Sequence, residues 1–287
     1  MLTNINDMLR DAKRERKAVG AFNVYNFDTI RGVAMAAKEA GDAPVIMAFG
    51  QKYLTNMSMK EVRSLTDAIT GTDPDLPIAL HLDHCSDPDL IREAMDAGFT
   101  SVMFDGSRLP YEENVRLTKA VCQMAHARGR SVEGELGSLA AGRSSEEGGA
   151  EDRERYTDPD QAAEFVKATG VDALAVSIGT VHGMYQGTPN IRIDILKEIN
   201  EACRIPLVLH GGSGTPEKDL LACIENGIAK INMNTEISQA AVKAIRGVLA
   251  ESPENDPPHL SSLSLASQEA VRGAAKRYIQ LFRGELQ

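Results

Sequence analysis

Residues 206–235 read PLVLHGGSGTPEKDLLACIENGIAKINMNT. An apolar run, 206–209, stops at His210, and a Gly211-Gly212-Ser213-Gly214 loop follows. Thr215-Pro216-Glu217 reads as a helix start, a cap residue and then proline at the first helical position. A second apolar run, Lys230-Ile231-Asn232-Met233, ends in Asn234-Thr235. The order is strand, loop, helix, strand. Both strand ends carry groups suited to a phosphate: backbone N–H donors, Ser213, Asn232, Asn234 and Thr235. In an eight-stranded α/β barrel the loops after strands seven and eight often form a phosphate site. Six earlier strands should therefore lie upstream.

The chain supplies them. Short apolar runs occur at 19–25, 44–49, 77–84, 101–105, 132–136 and 173–179, before those at 206–210 and 230–233. Near-continuous apolar character is what buried parallel strands show. Between them lie 28–40, 58–69, 88–97, 111–128, 158–169, 193–202 and 216–225, each charged on one face and apolar on the other. Gly41, Pro77, Gly98, Gly129, Gly170 and Gly227 stand as helix-ending signals before six of the strands. Eight β/α units predict a (β/α)8 TIM barrel. A doubly wound open sheet is second choice, since no GxGxxG follows the first strand. Residues 5–16 predict an N-terminal helix across one end of the barrel. A Pro-rich break, 252–259, precedes a further amphipathic segment, 267–283, predicted as an extra C-terminal helix with a packing or oligomer role. We read 1–287 as a single domain with a helical appendage from about 253 to 287, assembling as a homodimer or homotetramer.

A length of 287 residues suits such a barrel plus an appendage. The formal net charge is −10 and the basic residues are scattered. That argues against nucleic acid or an anionic membrane surface as the main partner. The first 17 residues are polar and charged, unlike a signal peptide, and no apolar run approaches the roughly 20 residues of a membrane span. Cys85, Cys122, Cys203 and Cys223 show no CxxC spacing and read as free thiols of a cytoplasmic protein.

Active sites of this fold sit at the carboxyl ends of the strands. Three of the six histidines fall there: His84 ends Leu80-His81-Leu82-Asp83-His84, His182 lies in Gly179-Thr180-Val181-His182-Gly183, and His210 ends strand seven. His81 reads as a hydrogen-bonded core residue, His126 lies on a helix and His259 in a loop. Three imidazoles with an open fourth position describe a catalytic zinc site. Asp83 adjoins His84. Neighbouring side chains on an extended strand point apart, so both reach one site only where the strand ends. Asp83 would then exchange a proton with substrate, or orient a ligand histidine. A metal beside a phosphate site suits a phosphorylated substrate that chelates the metal through its oxygens, with an enediolate to be stabilised. Schiff-base chemistry is disfavoured: Lys230 begins strand eight, and Lys167 and Lys197 lie on helices.

These residues, with Gly20-Ala21-Phe22-Asn23-Val24-Tyr25-Asn26, Ser101-Val102-Met103-Phe104-Asp105-Gly106-Ser107, Val132-Glu133-Gly134-Glu135-Leu136-Gly137 and Lys230-Ile231-Asn232-Met233-Asn234-Thr235-Glu236, resemble the class II, zinc-dependent ketose-bisphosphate aldolases of the fructose- and tagatose-bisphosphate type. The motifs follow the family's order over residues 1 to about 250. The resemblance implies a lyase of carbohydrate metabolism that cleaves a ketose phosphate to dihydroxyacetone phosphate and an aldehyde. It implies Zn2+ on His84, His182 and His210, and a substrate site from Asn23, Gly183, Gly211, Gly212, Ser213, Asn232, Met233, Asn234 and Thr235. Asp83 matches the residue that protonates the aldehyde oxygen in condensation. Asp105 and Glu135 match acidic residues near an alternative metal position, or are polar packing at the barrel rim. The family often also binds a monovalent cation, Na+ or K+, near the phosphate.

Two departures stand out. Relatives commonly carry a Gly-Gly-x-Glu-Asp-type lid whose glutamate removes the C3 proton. Here the Gly-, Ser- and Glu-rich segment 138–156 reads Ala140-Ala141-Gly142-Arg143-Ser144-Ser145-Glu146-Glu147-Gly148-Gly149 within it. It is a candidate mobile lid. Glu146 or Glu147 is the candidate base, with Glu151 third; the alternative is a solvated acidic loop. The tail Asn255-Asp256-Pro257-Pro258 lacks the arginine many relatives place there for a distal phosphate, which leaves the aldehyde half open. Rival readings are an aldolase of the same family with a non-bisphosphate substrate (an inositol-catabolic or other sugar-acid phosphate), a non-catalytic aldolase-like subunit, and a metal-dependent hydrolase. The subunit should have lost ligands, and the hydrolase should show His-x-His at strand one; neither holds.

Overall fold

The computed structural model describes residues 2–71, 73, 75–141, 155–184, 189–253 and 255–286. Helix α1 (Ile5–Glu15) leads into β1 (Val19–Asn23), α2 (Phe27–Glu39), β2 (Val45–Gly50), a 3-10 turn (Gln51–Thr55) and α3 (Met59–Thr70). Next come β3 (Ile78–Cys85), α4 (Pro88–Asp96), β4 (Ser101–Phe104), α5 (Tyr111–His126), β5 (Ser131–Leu136), β6 (Ala140–Ala141) and α6 (Pro159–Thr169). The chain continues with β7 (Ala173–Val176), β8 (Val181–His182), α7 (Ile193–Cys203), β9 (Leu207–Leu209), α8 (Glu217–Glu225), β10 (Ile228–Met233), α9 (Thr235–Glu251) and α10 (Leu260–Phe282). Strands close in the order β1-β10-β9-β7-β5-β4-β3-β2, each pair parallel: an α/β TIM barrel. The two-residue strands β6 and β8 pair with each other outside the barrel.

Local chemistry sets the element ends. Asn26 with Thr29, and Ser58 with Glu61, form reciprocal capping boxes for α2 and α3. Asp87 and Asp158 cap α4 and α6, each followed by proline in the first turn. Gly170 closes α6 in the left-handed region, φ 77°, which a Cβ would disfavour.

Side chains of the barrel strands alternate between two cores. The outer layer, among them Phe22, Val33, Phe49, Ile78, Val102, Phe165 and Ile231, packs strands against helices. The inner floor is built of Val19, Ala21, Ile46, Ala79, Ala173, Ala175, Val208 and Ala229, with Ile5, Leu9 and Ala12 of α1 inserted from below. That is the closure across one end expected for the N-terminal helix. The small floor residues leave room for α1, so the open end of the barrel is the carboxyl end.

Four sequence expectations need correcting. Pro216 is the cap position of α8 rather than its first helical residue, and Thr215 donates its hydroxyl to the Gly211 carbonyl instead of capping. Lys230 lies inside β10, two residues after its start. The helix α9 completes the eighth β/α unit, a helix that the pattern of amphipathic segments does not supply. The last helix starts at Leu260, seven residues before the predicted 267, because 260–266 is serine-rich with exposed leucines and shows little amphipathic period. It packs into the helical ring: Val271 lies against Gly32, and Asp28 accepts from Ser264 and Gln268.

Candidate active site

Strand β3 brings Asp83 and His84 to the same place by a bulge. Leu82 pairs with Val102 and Cys85 with Phe104, so β3 has one residue more than β4 over this step. His84 absorbs it with φ 45°, a left-handed conformation uncommon for a residue with a side chain. The condition that the strand end there is met differently: pairing continues to Cys85, and the bulge reorients the side chains.

His84, His182 and His210 converge, with one ring nitrogen of each within 4.8 Å of the others. His84 comes from the β3 bulge, His182 from β8 and His210 from the end of β9. Gly211, φ 71°, lets the following loop press its backbone against the Val181 carbonyl, where a Cβ would collide. The Nε2 of His84 and the Nδ1 of His210 approach to 2.8 Å, and the Nε2 of His182 is buried with no hydrogen-bond partner among the described residues. The opposite nitrogens of two rings meet carboxylates: His84 Nδ1 lies 3.0 Å from Asp105, and His210 Nε2 lies 2.8 Å from Glu133. Such carboxylate–imidazole pairs orient metal-ligating histidines and raise their basicity.

The electrostatics favour a cation. Burial would discharge His84, but the carboxylates of Asp83, Asp105 and Glu135 outweigh it and push the imidazole well above its usual range. His182 goes the other way: burial, and then the charges of His84 and His210, hold it neutral. Burial and the neighbouring Asp105 raise the Glu135 carboxyl well above the carboxylate range. Burial also opposes ionisation of Asp83, yet His84, Lys230 and His210 hold it well below that range. Converging imidazoles in a carboxylate-rich, buried setting fit a divalent metal of borderline softness. A second group, His84, Asp105 and Glu135, also lies within 4.8 Å. In it Asp105 is a hydrogen-bond partner of His84, while Glu135 keeps one buried oxygen without a partner among the described residues.

Asp83 is fully buried and accepts from two amides, Asn23 at 3.0 Å and Asn232 at 3.1 Å. The side-chain oxygens of both asparagines are buried without partners among the described residues, free to accept from a hydroxyl-bearing ligand. On the phosphate side the expected donors divide. Gly212 spends its N–H on the Asn232 carbonyl, and Ser213 accepts from the N–H of Glu236. Asn234 donates to Tyr53, which follows β2. Gly183, φ 92°, follows β8, and Thr235 opens α9. Met233 departs from the expectation: its side chain is wholly buried in the outer core, because alternation along β10 turns Asn232 inward and Met233 outward. Glu146, Glu147 and Glu151 lie outside the described residues.

Sequence reading assigns no site role to Glu133 or Lys230. Both are completely buried, and the Lys230 ammonium lies 2.7 Å from Glu133. The available signal was a charged residue at every second position of Val132–Leu136 and a lysine inside an apolar run.

A closed parallel barrel with a histidine cluster and a buried carboxylate at its carboxyl end places the chain in the β/α-barrel class, with a candidate metal site where such barrels carry their active sites. Residues 3–285 match the family model described as fructose-bisphosphate aldolase class-II. The fructose-bisphosphate aldolase of Staphylococcus aureus (strain Mu50) is 40% identical over 284 residues, covering 96% of this chain and 97% of that protein. The crystal structure of the YdjI aldolase from Escherichia coli K12 superposes with a TM-score of 0.85 at 36% identity, covering 98% and 97% of the two chains. A putative fructose-1,6-bisphosphate aldolase structure from Coccidioides immitis gives 0.86 at 30%, covering 96% and 94%. The chain belongs to the class II fructose-bisphosphate aldolase family. It is therefore a lyase of the aldolase type, from a family that is generally metal-dependent and acts on phosphorylated sugars. No helix among the described residues is long and apolar enough to cross a membrane.

Proposed function

We propose that the chain catalyses reversible retro-aldol cleavage of a ketose (bis)phosphate to dihydroxyacetone phosphate and an aldehyde, with Zn2+ held by His84, His182 and His210. The observation that carries this reading is the convergence of the three ring nitrogens within 4.8 Å at the carboxyl end of the barrel. A bound ion would supply Lewis-acid stabilisation of charge developing on the substrate oxygens. Asp83, held by the Asn23 and Asn232 amides, transfers a proton to and from the aldehyde oxygen. Gly183, Gly211, Ser213, Asn234 and Thr235 hold the phosphate of the dihydroxyacetone half, with the backbone contributing as much as side chains. A glutamate of segment 138–156, Glu146 or Glu147, removes the C3 proton.

Fructose 1,6-bisphosphate is the first substrate to test, because the curated relatives at 39–40% identity carry that name. Purified protein should contain close to one zinc per chain, release triose phosphate from the sugar, and lose activity to a chelator with recovery on adding Zn2+. Condensing dihydroxyacetone phosphate with a panel of aldehydes would identify the second substrate. Full activity in metal-depleted protein, or no condensation with any aldehyde, would overturn the reading.

A further inference from the structure

Between the hydrophobic floor and the histidine cluster lies a polar layer that a packed barrel does not require. The carboxylate of Glu133, on β5, reaches across the interior to two other strands. One oxygen is 2.8 Å from His210 Nε2, beyond β9, and the other is 2.7 Å from the Lys230 ammonium on β10. His81, hydrogen-bonded to Ser101 at 2.8 Å, completes the layer with its other nitrogen 3.7 Å from Glu133. All four side chains are inaccessible to solvent. Burying a lysine and a glutamate costs several kcal/mol per ion unless geometry and hydrogen bonds compensate. Apolar residues would fill the space more simply.

The contact with His210 supplies a reason. An imidazole presents a lone pair on one nitrogen only when the other holds the proton. His210 turns Nδ1 toward His84 and Nε2 toward Glu133. An ionised carboxylate can only accept, so it requires the proton on Nε2 and leaves the Nδ1 lone pair facing the cluster. We propose that Glu133, paired with Lys230, is a positioning residue that sets the tautomer and ring orientation of His210 for metal binding. This rests on the metal site proposed above. Lys230 plays the complementary part. It supplies the opposite charge, so that Glu133 remains a pure acceptor. The same pairing holds the Lys230 ammonium on Glu133 rather than presenting it to a substrate carbonyl, in line with the expectation that Schiff-base chemistry is disfavoured.

The test reads metal binding and tautomer, not turnover. In the parent protein, 15N spectra of the histidine side chains should show His210 protonated at Nε2 in both metal-free and zinc-loaded forms. Glu133→Gln keeps the size, but its amide can donate to Nε2 and move the proton to Nδ1. It should weaken Zn2+ affinity, measured by chelator competition, by roughly 10- to 100-fold. Glu133→Asp, which keeps the charge but withdraws it from His210, should weaken it similarly. Parent protein with His210 protonated at Nδ1, or folded variants that bind Zn2+ within about twofold of the parent, would overturn the inference while leaving the metal site intact. A parent chain that takes up no zinc would overturn both.

Discussion

Asp83 shows how much one residue's surroundings determine its use. It is buried, accepts from two asparagine amides and adjoins a candidate metal ligand without itself belonging to either metal-sized group. Asp83→Ala should therefore keep zinc at the parent stoichiometry and lose carbon–carbon cleavage. Proton exchange at C3 of dihydroxyacetone phosphate should survive, because that step does not need the aldehyde oxygen. Equal loss of exchange and cleavage with zinc still bound would remove the assigned role. The histidines make a second series. His84→Ala, His182→Ala and His210→Ala should each lose bound metal and activity, whereas His126→Ala should lose neither. His126 is half-exposed and bonds Asp172, away from the cluster. Metal analysis of the four purified variants checks this directly.

At the scale of elements, two helical glycines should respond oppositely to alanine. A Cβ at Gly32 on α2 would meet Val271 Cγ1 at 2.6 Å and the Gln268 carbonyl at 3.0 Å, so α10 would have to move. Overpacking costs about 1–3 kcal/mol, against a gain of up to about 1 kcal/mol in helix propensity. Gly32→Ala should thus lower the denaturation midpoint. Gly247, on the exposed face of α9, has nothing within 4 Å of its would-be Cβ, and Gly247→Ala should raise stability by about 0.5–1 kcal/mol. Equal shifts for the two would contradict the α2–α10 packing. The segment 138–156 supplies a kinetic prediction from sequence. Glu146→Ala or Glu147→Ala should lower turnover by roughly 10²-fold or more, the usual size for a lost general base, with little change in dihydroxyacetone phosphate binding. If both variants, and Glu151→Ala, exchange the C3 proton at the parent rate, the base lies elsewhere.

For the whole molecule, the cysteines report on the closed core. Cys85, Cys122, Cys203 and Cys223 are all buried and unpaired. Burial pushes their thiols up to about 11, 12, 11 and 12, so neither access nor thiolate favours reaction. A thiol reagent at pH 8 should titrate fewer than one group per native chain within minutes, and four after denaturation. Rapid labelling of two or more in the native protein would mean that the outer helices open readily.

The barrel was legible because strands buried on both faces must be apolar throughout, and helices between them must be apolar on one side; the order of those runs specifies eight β/α units. The three histidines were legible because polar side chains that end apolar runs come to one rim of such a barrel. Assignment to the aldolase family likewise rested on motifs readable in order along the chain. Only the tertiary structure decided the rest. Asp83 and His84 share a site through a bulge created by mispairing with β4, a relation between two strands that neither encodes alone. Met233 leaves the expected substrate site while Asn232 stays beside Asp83, because the register of β10 sets which of them faces inward. Glu133 and Lys230 looked like interruptions in apolar runs. Their meaning appears only when a barrel places β5 across from β10 and lets one buried charge neutralise the other.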